Sequence, residues 1–309
     1  VNGPGVLASV VDTVMFRSAV GALTPILLAA IAGLICERAG VFNIALEGLM
    51  LAGAFAGVSG VWYTRSLWGG LACAAVAGLV TSAVLALGSV KLGGDAIVLC
   101  IGINLLSTGL TAYLLRQLFD IQGVFQDPRI SSLPRWDLPL LRDIPFVGEV
   151  LNRQSPLAYL SWVLAGVTWW VLMRTALGLR LRGVGEMPDA SATLGVDVDR
   201  YRIVAVLLAG GLAGLAGAQL SLGSGLFTEG MSAGRGWIAV VAVMLGRADP
   251  IGVLGASVLF AVADAVGLRL QGQGLPNQLT DAAPYVVTLI ALVAARARRR
   301  RRTAGTVAT

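Results

Sequence analysis

The 309-residue sequence has no histidine, a single lysine (Lys91) and three cysteines, and only 13% of its residues are charged. That charged share is about half the usual one for a water-soluble domain. Without histidine, and with Cys36, Cys73 and Cys100 each in or at the end of an apolar run and no Cys-x-x-Cys spacing, the usual zinc sites and a disulfide framework are excluded. The cysteines read as small buried hydrophobes. No Gly-x-x-x-x-Gly-Lys-Ser/Thr loop is present, so the chain does not bind ATP in that way itself. No metal, cofactor or catalytic residue is expected.

Apolar sequence is abundant. Hydrophobic residues make up 56% of the chain and the mean hydropathy is +0.81. Five long runs carry no charge: Ser18–Cys36, Ser66–Val90, Ala96–Leu115, Gln154–Met173 and Ile203–Thr228. A bilayer span needs about 20 apolar residues, so the chain reads as an all-α, polytopic helical membrane protein with eight to ten membrane segments. A transmembrane barrel would instead alternate over strands of about ten residues.

The net charge of +6 is local, because Arg296 and Arg298–Arg302 supply six positive charges and the remainder balances at 17 against 17. A basic tail beside a membrane points to anionic headgroups rather than to nucleic acid. The positive-inside rule places this tail (296–309) and the arginine-flanked stretch 174–202 on the cytoplasmic side of a bacterial cell membrane. Stretch 116–153 has five arginines against five acids, with four prolines, and reads as an ordered external loop. Residues 1–16 are expected to form a short interfacial helix.

On this reading the chain is one transmembrane domain. A first half (18–115) is followed by an extra span (154–173) and a second half (203–295) that starts from the opposite side. In each half a long helix leads into a polar, glycine-containing interruption: Glu37–Asn43 in one, Glu229–Gly236 in the other. Paired interruptions in inverted halves are the mark of a transporter with discontinuous helices. Segment 236–246 is too short to span alone. It must extend upstream through Met231–Arg235 or enter and return within the protein.

Several polar residues fall at membrane depth. Asn43 and Glu47 share one helix face, and a carboxylate there costs roughly 2.5–3.5 kcal/mol, so it needs a partner, a cavity or a helix N-terminus. Two readings stay open for Glu47: a residue of a translocation pathway, or a capping or ion-pair residue. Asn104 and Gln219 read first as hydrogen-bonding links between helices. Asp264, five residues before Arg269, reads as half of a structural pair. Asn43, Glu47, Asn104 and Trp237 are the candidates for a pathway lining. Gly53-x-x-x-Gly57 and Gly210-x-x-x-Gly214 are small-residue packing motifs.

Stretch 174–202 is too long and patterned for a plain turn. Pro188 is placed to open a short helix over 189–194, with Glu186 and Asp189 at its positive end and Leu194 as an apolar contact. Gly185 would permit the sharp entry, by a positive φ or by close approach.

Arg182-Gly-Val-Gly-Glu-Met-Pro-Asp-Ala-Ser191 resembles the cytoplasmic coupling loop of ABC-importer permeases of the branched-chain amino acid, ribose and nucleoside type. Gly183 and Met187 depart from the commoner Arg-Ala-Val-Gly-Glu-Asn-Pro form. Glu37–Phe55, with its Asn-Ile-Ala-Leu-Glu-Gly-Leu-Met core, is similar to the N-terminal signature of the nucleoside/simple-sugar branch. Arg235–Ala239 with Leu245–Gly252, and Asn104–Thr111, resemble two further blocks. Together they cover about residues 20–295. The resemblance implies a membrane subunit that is not itself an enzyme, working by alternating access. Its partners would be a second homologous permease, cytoplasmic ATPase subunits docked on the coupling loop (Gly185, Glu186, Pro188, Asp189, Leu194), and an extracellular or periplasmic substrate-binding protein. Nucleosides or simple sugars are the implied cargo; branched-chain amino acids are the alternative within this family. An ion-coupled secondary transporter would have only Glu47 and Asp264 as relays. A membrane-embedded enzyme would need acids or histidines clustered at one depth, and none are.

Overall fold

The computed structural model describes residues 13–137, 150–271 and 286. The expected spans and tail beyond residue 271 therefore lie outside the described residues, as does most of the expected interfacial helix; Thr13–Phe16 already belong to the first long helix. In chain order the elements are α1 (Thr13–Arg38), α2 (Leu46–Thr64), α3 (Leu67–Ala86) continued by a π turn (Leu87–Lys91), α4 (Ala96–Phe119), β1 (Val124–Phe125), α5 (Pro156–Arg174), α6 (Ala176–Glu186), α7 (Pro188–Thr193), α8 (Val198–Ser224), β2 (Phe227–Thr228), α9 (Arg235–Leu245) and α10 (Pro250–Gln271). Among the described residues seven of these helices are long and apolar enough to cross a bilayer, and α9 is a shorter apolar one. The protein is a multi-pass helical membrane protein.

Local sequence accounts for where the helices begin. Asp95 accepts from the N–H groups of Ile97 and Val98 at 2.8 and 3.0 Å. Ser155 (followed by Pro156), Thr175 and Asp197 cap α5, α6 and α8 in the same way. These side chains satisfy donors that a helix start leaves unpaired.

The centre of the bundle is α1 and α8, with α2 and α3 packed on α8 and α10 on α1. Glycine makes this closeness possible. A Cβ at Gly53 would overlap the Gly214 backbone, and one at Gly217 would overlap the Met50 carbonyl, so α2 and α8 meet backbone to backbone. Gln219 does act as a link, accepting from Ser155 Oγ at 2.8 Å. By contrast, only 22% of the apolar window of α4 and 28% of that of α5 is buried within the chain.

Opposite ends of the bundle have different wiring. At one end Arg38, Lys91, the α6–α7 region and the turn Arg247–Asp249 come together, through Arg38–Glu186 and Lys91–Asp199 ion pairs, both 3.6 Å. At the other, β1 pairs antiparallel with β2, Gly123 N–H donates to Glu229 at 3.0 Å and Trp62 donates to Asp127 at 3.3 Å.

Candidate functional site

The two interrupted stretches meet. α1 ends at Arg38, and residues 41–45 climb back as non-helical chain before α2 begins at Leu46. α9 has 11 residues, about 16 Å at 1.5 Å per residue, or about half of a hydrocarbon core of roughly 30 Å. The stretch before α9 is turn and strand, so segment 236–246 does not extend upstream as a helix; it begins within the protein. Its start lies against the start of α2. Glu47 Oε1 accepts from Gly234 N–H and Oε2 from Gly236 N–H, both at 2.8 Å. Gly234 has a φ of +81°, and a Cβ at Gly236 would overlap the Glu47 backbone. The carboxylate thus stands in the first turn of α2 and at the N-terminus of α9, where two helix dipoles favour negative charge. The charge cost foreseen for Glu47 is offset by a helix N-terminus.

Arg235, between the two donors, pairs with Asp264 of α10 at 3.4 Å, with side chains 22% and 17% exposed. The expected Asp264–Arg269 pair is corrected here: the partner comes from another helix, because Arg235 starts a helix whose dipole disfavours a cation and so needs an acid beside it.

Asn43 and Asn104 lie in the same region, and their polar groups are engaged within the chain. Asn43, 5% exposed, accepts from Ala45 N–H at 2.9 Å and lies 3.6 Å from Cys36 Sγ and 3.8 Å from Cys100 Sγ. Asn104 of α4 accepts from Gly48 N–H at 2.8 Å and donates to the Ile44 carbonyl at 3.0 Å. It ties α4 to the first turn of α2, the linking role that its position suggested. Trp237 sits in the first turn of α9 and is 41% exposed.

The 174–202 loop folds as two helices. Pro188 opens α7, as its fixed φ favours, and Asp189 lies in its first turn. Leu194 follows the last turn and is 83% exposed. One expectation changes, and for Gly185 the close-approach alternative holds. Glu186 does not sit at the start of α7; it ends α6 and pairs with Arg38. Gly185 does not enter by a positive φ. It lies in the last turn of α6, where a Cβ would overlap the Arg38 carbonyl and stand 2.9 Å from the Gly40 nitrogen. Its missing side chain serves close approach.

Sequence reasoning did not foresee the partners of Arg38. Its Nε donates to the Ala248 carbonyl at 2.6 Å and its guanidinium reaches Glu186, while Arg202 of α8 donates to the Ala39 carbonyl at 3.4 Å. The turn 38–40 therefore touches α6, α8 and the α9–α10 turn at once. The signal available was an arginine closing an uncharged run, which the membrane border alone also explains. A cavity of about 560 Å³ between α2, α3 and α4 was likewise unforeseen; Phe55, Ser59, Tyr63, Thr81, Ser107 and Thr111 are in its wall. Ser59 Oγ is buried there with no hydrogen-bond partner.

Comparisons with known proteins agree with this architecture. The sequence model of the family described as "Branched-chain amino acid transport system / permease component" matches residues 15–292. A nucleoside ABC transporter permease of Lactococcus lactis is 37% identical over 281 residues, covering 87% of this chain and 88% of that protein. A putative glucose ABC transporter permease of Haloferax volcanii is 37% identical over 284 residues (90% and 84%). A guanosine ABC transporter permease of Bacillus subtilis is 34% identical over 281 residues (87% and 87%). In fold the chain is similar to a solved chain described as an inward-facing conformation of a putative metal-chelate type ABC transporter. The TM-score is 0.54 at 16% identity, with 90% and 84% of the two chains covered.

Proposed function

Because this chain belongs to the family of permease components of branched-chain amino acid transport systems, we propose that it is the membrane-spanning subunit of an ATP-driven importer whose cargo is a nucleoside. The cargo reading rests on the nucleoside and guanosine permeases at 37% and 34% identity; the glucose permease at 37% supports a simple sugar as the second reading. ATPase subunits, a second permease and an external binding protein complete the machine. The arginine-rich end, with the tail, faces the cytoplasm.

The observation that carries this mechanism is the contact of Gly185 and Glu186 with the turn 38–40. From that turn residues 41–45 run to the start of α2, and Glu47 there holds the start of α9. A push on α6–α7 by an ATPase therefore has a short covalent and hydrogen-bonded route to the junction of the two broken helices. Gly185, Glu186, Pro188, Asp189 and Leu194 form the coupling element in this reading. Glu47, Asn43 and Asn104 shape the junction that moves, with Trp237 at its edge.

The test is uptake of labelled guanosine by cells carrying the whole system, with ATPase activity measured on the assembled complex. Gly185→Val with Glu186→Lys should abolish uptake while the permease still inserts and the external protein still binds its ligand. Uptake and ATPase activity that both survive would remove the loop from coupling. Uptake of labelled glucose with no uptake of labelled guanosine would select the second reading.

A further inference from the structure

At the arginine-rich end, α6, the chain after α7 and the first turns of α8 enclose a cavity of about 930 Å³. Its wall has two characters. Arg180, Arg200 and Tyr201 supply cationic and hydroxyl groups, and Leu177, Leu179 and Val204 supply apolar surface that is 61%, 65% and 47% exposed. Among the described residues neither guanidinium meets an acid; Glu186 pairs with Arg38 and Asp199 with Lys91. Asp197 also lines the cavity, but it caps α8 by accepting from the Arg200 backbone N–H at 3.0 Å. Two guanidiniums against one carboxylate leave the cavity net positive.

The apolar wall does not stop at the cavity. Val204 belongs to the uncharged run that begins at Ile203, and Leu208, one turn further along the same face of α8, is 54% exposed. α6 starts one residue after α5 ends at Arg174, so Leu177 and Leu179 lie at the level where a span meets the headgroups. The cavity is thus cationic at its outer rim and continuous with hydrocarbon-facing surface on its inner side.

From this arrangement we infer a binding site for an anionic phospholipid. The phosphodiester sits between Arg180 and Arg200, which present planar donors to it, with the Tyr201 hydroxyl beside it. An acyl chain lies along Leu177, Val204 and Leu208. A cytoplasmic protein could cover the arginines, but it could not follow Val204 and Leu208 into the hydrocarbon; a lipid does both. The site is separate from the cargo and from the turn 38–40, and it borders the coupling element through Ser191 and Leu194 in its wall.

The test uses the full chain reconstituted in discs of equal parts phosphatidylglycerol and phosphatidylcholine, then transferred to detergent. Native mass spectrometry reads the retained lipid. Wild-type protein should retain phosphatidylglycerol in preference to phosphatidylcholine. Arg180→Gln with Arg200→Gln should retain it about 25-fold less, from about fivefold per basic residue near an anionic headgroup. Arg180→Lys with Arg200→Lys should keep most of the preference, which separates charge from misfolding. Equal retention of the two lipids by wild type, or unchanged retention in the Gln variant, overturns the proposal. Guanosine uptake measured in parallel reports on the cargo reading separately.

Discussion

The starts of α2 and α9 face the same problem with different chemistry. Each begins inside the protein, where the first N–H groups of a helix find no water. At α2 the solution is amides: Asn43 takes the Ala45 N–H and Asn104 the Gly48 N–H. At α9 it is one carboxylate, borrowed from α2, that takes two N–H groups, with Gly234 making the turn at positive φ. The consequences differ. The amide solution is neutral and local to α2 and its neighbour α4. The carboxylate solution joins α2 to α9, because α2 cannot move away from α9 without stranding a charge and two donors.

Changes at the two junctions test this contrast. Glu47→Leu should have the largest effect, about 3 kcal/mol, since hydrogen bonds to a charged group are worth about 1.5–3 kcal/mol and buried donors left unpaired add to the loss. Thermal unfolding in detergent reads it; Glu47→Gln, which keeps one good acceptor, should recover part of the loss. Asn104→Leu should cost about 2 kcal/mol, because one donor and one carbonyl at the start of α2 lose their partners while α2 and α9 stay joined. An Asn104 effect larger than the Glu47 effect would reverse the comparison. Asp264→Asn should cost about 1 kcal/mol: the pair is partly exposed, and the amide still offers Arg235 an acceptor.

The smallest effect is expected at the partly exposed Asp127, a control outside the junctions. Its carboxyl is held below the ordinary value of 3.8, first by the Arg129 backbone N–H and also by the Trp62 indole. A depressed folded value means the interaction is fully present above that ordinary value and is lost as pH falls through the lower one. Quenching of Trp62 fluorescence should therefore be flat from neutral pH down to about 4 and rise only below 3.8. A rise already near pH 6 would mean that another group holds this loop.

Much of this protein was legible in its residues because the bilayer imposes simple rules on sequence. The uncharged runs became the long helices, since a span must be apolar and satisfy its own backbone. The stretches at Glu37–Asn43 and Glu229–Gly236 became breaks, and Pro188 opened a helix, since these are properties of a few consecutive residues. Partnerships were not legible. Glu47 lies 187 and 189 positions from the donors it serves, Asp264 pairs with Arg235 and not within its own helix, and Gly185 is needed for contact with Arg38 and not for its own backbone angle. Sequence spacing predicts neighbours only within a turn or two of one helix. Which acceptor meets which donor across the bundle depends on how α1, α2, α6, α8, α9 and α10 pack, and in a medium without water that pairing is decided by tertiary structure alone.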